Sequence, residues 1–101
     1  MVARKMFTVS RVAKEMGKHL SVWRRTQRMT AQEMASRAGV SVATISKLEN
    51  GDDTVSLRTF LNVCHALGCL DKVEEAVNPL YNDETALRIM NSGVKQRIRH
   101  K

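Results

Sequence analysis

Aromatic residues and proline are scarce in this chain of 101 residues, which has two Phe, one Tyr, one Trp and one Pro. Sandwiches and barrels of strands favour aromatic side chains and need many turns, so this composition disfavours them. The six Met and the many Ala, Leu, Arg and Glu residues favour helices instead. We therefore expect an all-α fold of one domain, with room for a short additional segment.

Cysteines and long apolar runs are also few. No stretch approaches the ~20 apolar residues of a membrane span, and the first residues lack the apolar core of a secretion signal. Cys64 and Cys69 cannot build a disulfide framework, because residues five apart on a helix point about 140° away from each other. The sequence therefore predicts a cytoplasmic protein with two free thiols and no segment that spans a membrane.

Positive charge lies mainly towards the two ends of the chain, whose net charge is +7. Residues 1–40 contain nine basic and two acidic side chains, and residues 41–93 contain four basic and eight acidic ones. The last eight residues add four basic side chains. Because compact positive regions attract polyanions, nucleic acid is the expected partner, and charge alone leaves a membrane surface as the alternative.

Apolar spacing predicts a first helix that follows an irregular lead over residues 1–9. Its apolar residues recur at helical intervals, with Ser10 as the expected cap and an end near Gln27–Arg28. These residues are Val9, Val12, Ala13, Met16, Leu20 and Trp23. The basic residues at its end, Arg25 and Arg28 among them, fit either a solvated helix end or a phosphate contact.

Two short helices follow the first. Thr30 and Glu33 have the spacing of a capping box at the start of the second helix, which we expect to end at Gly39. Ser41 is the expected cap of the third helix, which should end at Asn50-Gly51. A connection as short as 39–41 allows only a sharply angled pair of helices, which is the geometry of a helix-turn-helix.

Two further helices and a shorter one are expected beyond residue 55. Ser56 should cap a fourth helix that ends at Gly68, a fifth should end before Pro79, and Asn82 or Asp83 should begin a helix over residues 84–90. Four apolar side chains of this region exceed what the core needs, and we expect them to contact a second copy or a partner. They are Leu70, Val73, Val77 and Leu80. The basic tail over 94–101 fits a strand, an arm or a disordered end.

The third helix suits the DNA major groove. A helix that enters the groove needs small or polar residues at its N-terminus, because bulky ones keep its backbone away from the bases. Ser41, Val42, Ala43 and Thr44 satisfy this condition. Lys47, one turn further on, can reach a guanine edge or a phosphate.

At this point the chain resembles the Cro/C1-type (XRE) helix-turn-helix repressors. The resemblance covers residues from about 12 to 70. It rests on Arg24, Met29-Thr-Ala-Gln-Glu-Met-Ala35, Ala38-Gly-Val-Ser41, Thr44-Ile-Ser-Lys-Leu-Glu-Asn-Gly51, Ser56-Leu57 and Ala66-Leu-Gly68.

The resemblance implies a five-helix, λ-repressor-like domain over residues 10–70 with a short C-terminal extension. Residues 71–93 would then serve dimerisation or partner binding. It also implies a structural salt bridge between Arg24 and Glu49, and a homodimer that binds a palindromic double-stranded operator. The expected DNA-contacting residues are Thr30, Gln32, Ser41, Val42, Ala43, Thr44, Ser46, Lys47, Asn50 and Arg58.

Two positions depart from the pattern of similar repressors. Ala31 stands where many of them place a phosphate-binding Gln, and here Gln32 follows instead. Asp52 and Asp53 are acidic where relatives often have Lys or Arg, so we expect their loop to face away from the phosphates.

The narrower function is a hypothesis with alternatives. The size and the runs 39–46 and 57–60 are similar to those of HipB-type antitoxins, which repress their own operon and bind a kinase-like toxin. A stand-alone phage or chromosomal repressor, and an interaction module that has lost DNA binding, are the alternatives. No nucleophile elbow, phosphate-binding glycine loop or metal-ligand pattern occurs, so we expect no enzyme activity, no cofactor and no metal.

Overall fold

The computed structural model of the chain describes residues 2–92, with side chains from Phe7 onward. Within these residues it has six α-helices, one 3-10 helix and no strand. The helices are α1 (Val2–Thr26), α2 (Ala31–Ala38), α3 (Val42–Glu49), α4 (Leu57–Leu67), α5 (Leu70–Val77) and α6 (Asp83–Ser92), with the 3-10 helix at Pro79–Tyr81. The expected all-α class is confirmed. The predicted tail over 94–101 lies outside the described residues.

Helix α1 is longer than the sequence predicted. It has 25 residues and begins at Val2, so the expected irregular lead over residues 1–9 is wrong, and Ser10 lies inside the helix rather than at its cap. The segment from Val2 to Val9 contains neither Gly nor Pro, and its Ala, Arg, Lys and Met residues are good helix formers.

The predicted N-caps of α2, α3 and α4 are confirmed. In each case a hydroxyl accepts the backbone N–H three residues further on, which satisfies a donor that the helix leaves unpaired. The pairs are Thr30 with Glu33 at 3.0 Å, Ser41 with Thr44 at 3.1 Å and Ser56 with Thr59 at 3.1 Å. The Glu33 carboxylate also accepts the Thr30 N–H at 2.8 Å and completes the capping box.

Helices α1 to α4 all end in the same kind of turn, in which two backbone N–H groups bond back to carbonyls of the last helical turn. A residue with positive φ stands in each turn: Arg28 (57°), Gly39 (70°), Gly51 (85°) and Gly68 (82°). The outer hydrogen bonds run from Met29 to Arg24 at 3.1 Å, Val40 to Ala35 at 3.0 Å, Asp52 to Lys47 at 2.9 Å and Cys69 to Cys64 at 2.9 Å.

The core of the N-terminal unit, which extends to Leu70, lies among these four helices. Helix α2 packs against α3 and α4, and α1 packs against the same two helices. The largest fully buried side chains are Met34, Ile45, Val63 and Cys64. No buried side-chain nitrogen or oxygen among the described residues lacks a hydrogen-bond partner.

Gly17 lets α1 touch the end of α3. A Cβ atom added at Gly17 would lie 2.6 Å from the carbonyl oxygen of Glu49 and 2.7 Å from that of Leu48. On the opposing segment, a Cβ at Gly51 would lie 2.5 Å from the Cα of Lys14. Both glycines are therefore required by the close approach of two backbones, and this approach fixes the C-terminal end of α3 on α1.

The two cysteines lie together, contrary to the expectation from helical spacing. Helix α4 ends at Leu67, and the left-handed Gly68 turns the chain so that Cys69 folds back towards Cys64. Both side chains are buried as free thiols. Burial, together with the adjacent Cys69 thiol, raises the pKa of Cys64 to about 12. The pair acts as the apolar contact that commonly accompanies such a turn.

The residues after Leu70 form a separate unit. None of the residues of α5, the 3-10 helix or α6 is buried. Side chains of Asn78 and Asn82 cap the last two helices, by accepting the N–H groups of Leu80 at 2.9 Å and Thr85 at 2.9 Å. Among the helices that the structure describes, none is long and apolar enough to cross a membrane.

Candidate nucleic-acid interface

The connection between α2 and α3 consists of three residues, Gly39, Val40 and Ser41. Gly39 adopts the left-handed conformation, and its N–H bonds to Ser36 at 3.3 Å. Ser41 then returns the chain to an extended conformation and caps α3. This tight turn between two packed eight-residue helices is the helix-turn-helix that the sequence predicted.

Helix α3 has one side in the core and the other in solvent. Ile45 is 1 % exposed, and Leu48 and Glu49 are half-buried. The four side chains that the sequence predicted to read bases are all exposed, namely Val42, Ala43, Ser46 and Lys47. The packing that holds α3 therefore leaves these four side chains accessible to a ligand.

The N-terminal end of α3 presents hydroxyl groups. The Ser41 Oγ atom lies 2.9 Å from Thr44 Oγ1, in addition to accepting the Thr44 backbone N–H. Ser41 is exposed and Thr44 is half-buried. Hydroxyls and backbone N–H groups at a helix start are suited to bind phosphate oxygens.

The other predicted phosphate contacts lie at the ends of neighbouring helices. Thr30 and Gln32 are exposed at the start of α2, and Arg58 is exposed in the first turn of α4. Asn50 follows α3, and its side-chain amide donates to Ser46 Oγ at 3.4 Å. The ten predicted residues thus belong to α2, α3, α4 or their caps, and nine of them are exposed.

Arg24 and Glu49 connect the end of α1 to the end of α3. The Arg24 Nε and Nη2 atoms donate to the two carboxylate oxygens of Glu49 at 2.7 Å and 3.0 Å. Arg24 Nη1 also donates to the Met29 carbonyl at 2.9 Å. Each side chain is only 15 % exposed. The hydrogen bond to Glu49 raises the pKa of Arg24, and the pair holds α3 from its core side, away from the exposed residues.

An acidic turn follows the C-terminal end of α3. Asp52 Oδ1 accepts the backbone N–H of Thr54 at 2.9 Å and its hydroxyl at 2.6 Å. These hydrogen bonds, aided by the positive charge of Lys47, lower the pKa of Asp52. The Asp52 carboxylate is thus held within its own turn by Thr54.

Sequence reasoning also missed the role of Gly17 and the conformation of Arg28. Gly17 lies in the middle of an amphipathic pattern, where a glycine is a signal of close packing. Arg28 has positive φ without being glycine. Residues 7–92 contain no group of three or more His, Cys, Asp or Glu side chains that could hold a metal ion.

Comparison with known proteins agrees with this geometry. The model of a family described as a helix-turn-helix domain matches residues 15–77, which is more than half of the chain. No curated protein and no solved structure matches significantly. The matched segment contains α2, the three-residue turn, α3 and α4, together with the part of α1 from residue 15 onward. The chain therefore belongs to the helix-turn-helix domain family, as a regulator of the Cro/C1 (XRE) type.

Proposed function

We propose that the chain is a transcriptional repressor that binds a palindromic double-stranded operator as a homodimer. The observation that carries the proposal is the division of α3 between a buried side anchored by Ile45 and an exposed side. In a helix-turn-helix protein the second helix lies in the major groove, where exposed side chains of this helix meet base edges.

The chemistry of the exposed side suggests how bases are read. Val42 and Ala43 are small and apolar, so they let α3 approach closely and contact thymine methyl groups. Ser46 hydrogen-bonds base edges, and Lys47 donates to a guanine or a phosphate. Two of the four reading positions have no hydrogen-bonding group, so DNA shape and half-site spacing supply much of the specificity.

Affinity comes mainly from the DNA backbone. Thr30, Gln32, Ser41 and Thr44 offer polar groups at the starts of α2 and α3, and Asn50 and Arg58 extend the set towards α4. Phosphate contacts of this kind position the protein without reading sequence. Affinity falls as salt rises, and each phosphate that a cation neutralises makes the slope of log affinity against log salt steeper by about 0.9.

The unit after Leu70 is the proposed dimer or partner surface. Leu70 and Val73 are half-buried, and Val77 and Leu80 are 80 % and 47 % exposed. Further exposed apolar side chains follow, of which Tyr81 is 67 % exposed. A two-fold dimer would place the two α3 helices about 34 Å apart, one turn of DNA.

The narrower proposal is an autoregulatory antitoxin of the HipB type that acts in the cytoplasm and binds a kinase-like toxin. It is supported by the resemblance of residues 39–46 and 57–60 to such antitoxins, and by the exposed apolar residues after Leu70. A stand-alone repressor is distinguished by its neighbouring genes, which would then encode no toxin.

A gel-shift series with the DNA upstream of the chain's own gene tests the proposal. The wild-type protein should bind this DNA at least about 10³-fold more tightly than random sequence. Sedimentation should show a dimer. The matched control is Ala43→Glu, because an acidic residue in the first turn of α3 favours the helix dipole while it repels DNA. It should fold normally and lose binding.

Two other outcomes contradict parts of the proposal. If the upstream DNA is not preferred, but selection from random duplexes yields a palindrome, the chain regulates another locus and is not autoregulatory. If no sequence is selected and Ala43→Glu binds like the wild type, the helix-turn-helix does not act on DNA.

A further inference from the structure

Arg28 stands at a position where the equivalent turns have glycine. In the turns that end α2, α3 and α4, the residue with positive φ is Gly39, Gly51 or Gly68. At the end of α1 it is Arg28, and within the described residues Arg28 is the sole non-glycine residue with positive φ. The left-handed conformation is unfavourable for residues with a Cβ atom but not for glycine.

No contact of the Arg28 side chain within the described residues compensates for this backbone conformation. Arg28 is exposed, and no side-chain hydrogen bond or ion pair found among residues 7–92 involves its guanidinium. A Cβ atom added at Gly39 or Gly68 would have no neighbour within 4 Å, whereas one at Gly51 would meet Lys14. The exposed Arg28 side chain resembles the first two positions. The conformational cost of Arg28 is therefore not offset by packing.

The neighbouring arginines are occupied elsewhere. Arg24 is engaged by Glu49 and the Met29 carbonyl. Arg25 donates through Nε to the Ser21 carbonyl at 3.3 Å, which directs it back along α1. These two cations already stand in the last turn of α1, where positive charge favours the helix dipole. A third cation in the turn is not needed to stabilise the helix end.

Arg28 is close in sequence to the proposed DNA-backbone contacts. Only the buried Met29 separates it from Thr30, the N-cap of α2. Their Cα atoms are therefore at most about 7 Å apart, which an arginine side chain can span. A guanidinium suits phosphate because its N–H groups can bind two phosphate oxygens at once.

From these observations we infer that Arg28 binds a DNA phosphate next to the start of α2. The inference rests on the proposed DNA-binding function and adds to it a cation that the resemblance did not supply. It explains why a charged residue occupies a turn that glycine would stabilise.

Three variants of Arg28 separate its charge from its backbone conformation. Arg28→Gly removes both the charge and the strain, and should raise Tm by about 2–8 °C. The same variant should weaken binding of the labelled upstream DNA about eightfold at about 0.1 M salt, with a slope lower by about 0.9. Arg28→Asn should reduce the salt slope by the same amount, because Asn tolerates positive φ but carries no charge. Arg28→Lys should keep it.

Lys18→Gln is the control for net charge. It removes one positive charge from the exposed surface of α1, where Lys18 pairs with Glu15 at 3.5 Å. Its salt slope should equal that of the wild type. If Arg28→Gly is more stable but keeps the full slope, Arg28 is not a phosphate ligand, although the chain still binds DNA. If the wild type itself binds no DNA, the proposed function and this inference are both overturned.

Discussion

Arg24 and Glu49 stand 25 residues apart in the chain and are joined by two hydrogen bonds of 2.7 Å and 3.0 Å. Because each side chain is only 15 % exposed, removing one partner leaves the other charge with little hydration in its place. This pair links α1 to the C-terminal end of α3, and its loss should affect stability rather than sequence choice.

Replacing Arg24 by Met should lower the free energy of unfolding by about 3 kcal/mol, because the Glu49 carboxylate stays partly buried without a cation. Urea denaturation measures this change. The double variant Arg24→Met with Glu49→Leu should recover much of the loss. Arg88→Met is the control, since its ion pair with Glu84 is exposed and should contribute under about 1 kcal/mol. Equal losses in the single and double variants would contradict the ion-pair explanation.

Replacing Gly17 by Ala should destabilise the protein by about 1–3 kcal/mol, because the new Cβ atom would overlap the backbone of Leu48 and Glu49. The sign is diagnostic, since the same change in an exposed helix stabilises by roughly 0.5–1 kcal/mol. Lys18→Ala, one residue further along α1, should be close to neutral. A thermal shift upward for Gly17→Ala would show that α1 and α3 are not in backbone contact.

Lys47 and Arg58 should respond differently to truncation. Lys47→Ala should weaken binding to the operator by about 1–3 kcal/mol and reduce discrimination against random DNA, if Lys47 reads a base. Arg58→Ala should weaken all sequences alike and lower the salt slope by about one unit. Fluorescence anisotropy with both kinds of DNA measures the two effects. Equal weakening of operator and random DNA by Lys47→Ala would make Lys47 a phosphate contact only.

The capping box of α2 should make stability depend on pH. The Thr30 backbone N–H, helped by the Thr30 hydroxyl and Arg37, lowers the pKa of Glu33 below its ordinary value of 4.5. A carboxyl whose pKa is lower in the folded state stabilises that state above its unfolded pKa, and the contribution disappears as the pH falls through the folded pKa. Glu33→Gln keeps an acceptor for the Thr30 N–H but carries no charge.

The stability difference between wild type and Glu33→Gln should therefore be largest near neutral pH and should shrink below about pH 4.5. Urea denaturation at a series of pH values measures it. A difference that stays constant between pH 6 and 3 would show that the Glu33 charge does not contribute to the cap.

The local features of the fold were predictable because they depend on residues a few positions apart. The caps at Thr30, Ser41 and Ser56 are examples, since donor and acceptor lie within one helical turn. The start of α1 was not, because the apolar pattern begins at Val9 and no capping residue marks Val2. The expectation for the two cysteines is wrong because helical spacing does not hold beyond Leu67, where α4 ends.

Features that depend on distant residues required the structure. Gly17 meets the backbone of residues 48 and 49, and nothing near it in the sequence indicates that contact. Only the family resemblance predicts the Arg24–Glu49 pair, because charge alone allows Arg24 several acidic partners. The set of DNA-contacting residues stays a prediction, because the free chain shows which side chains are exposed and only a complex shows which of them contact DNA.

The division of α3 has a consequence for how the operator preference can change. The residues that hold this helix, among them Ile45 and Glu49, are different from the exposed ones, and Ser41 and Gly51 mark its two boundaries. Exchanging Val42, Ala43, Ser46 and Lys47 would therefore leave the folded scaffold intact. Substitutions at these four positions can therefore change the preferred operator without an unstable intermediate. The same positions can be varied together to engineer a new DNA specificity.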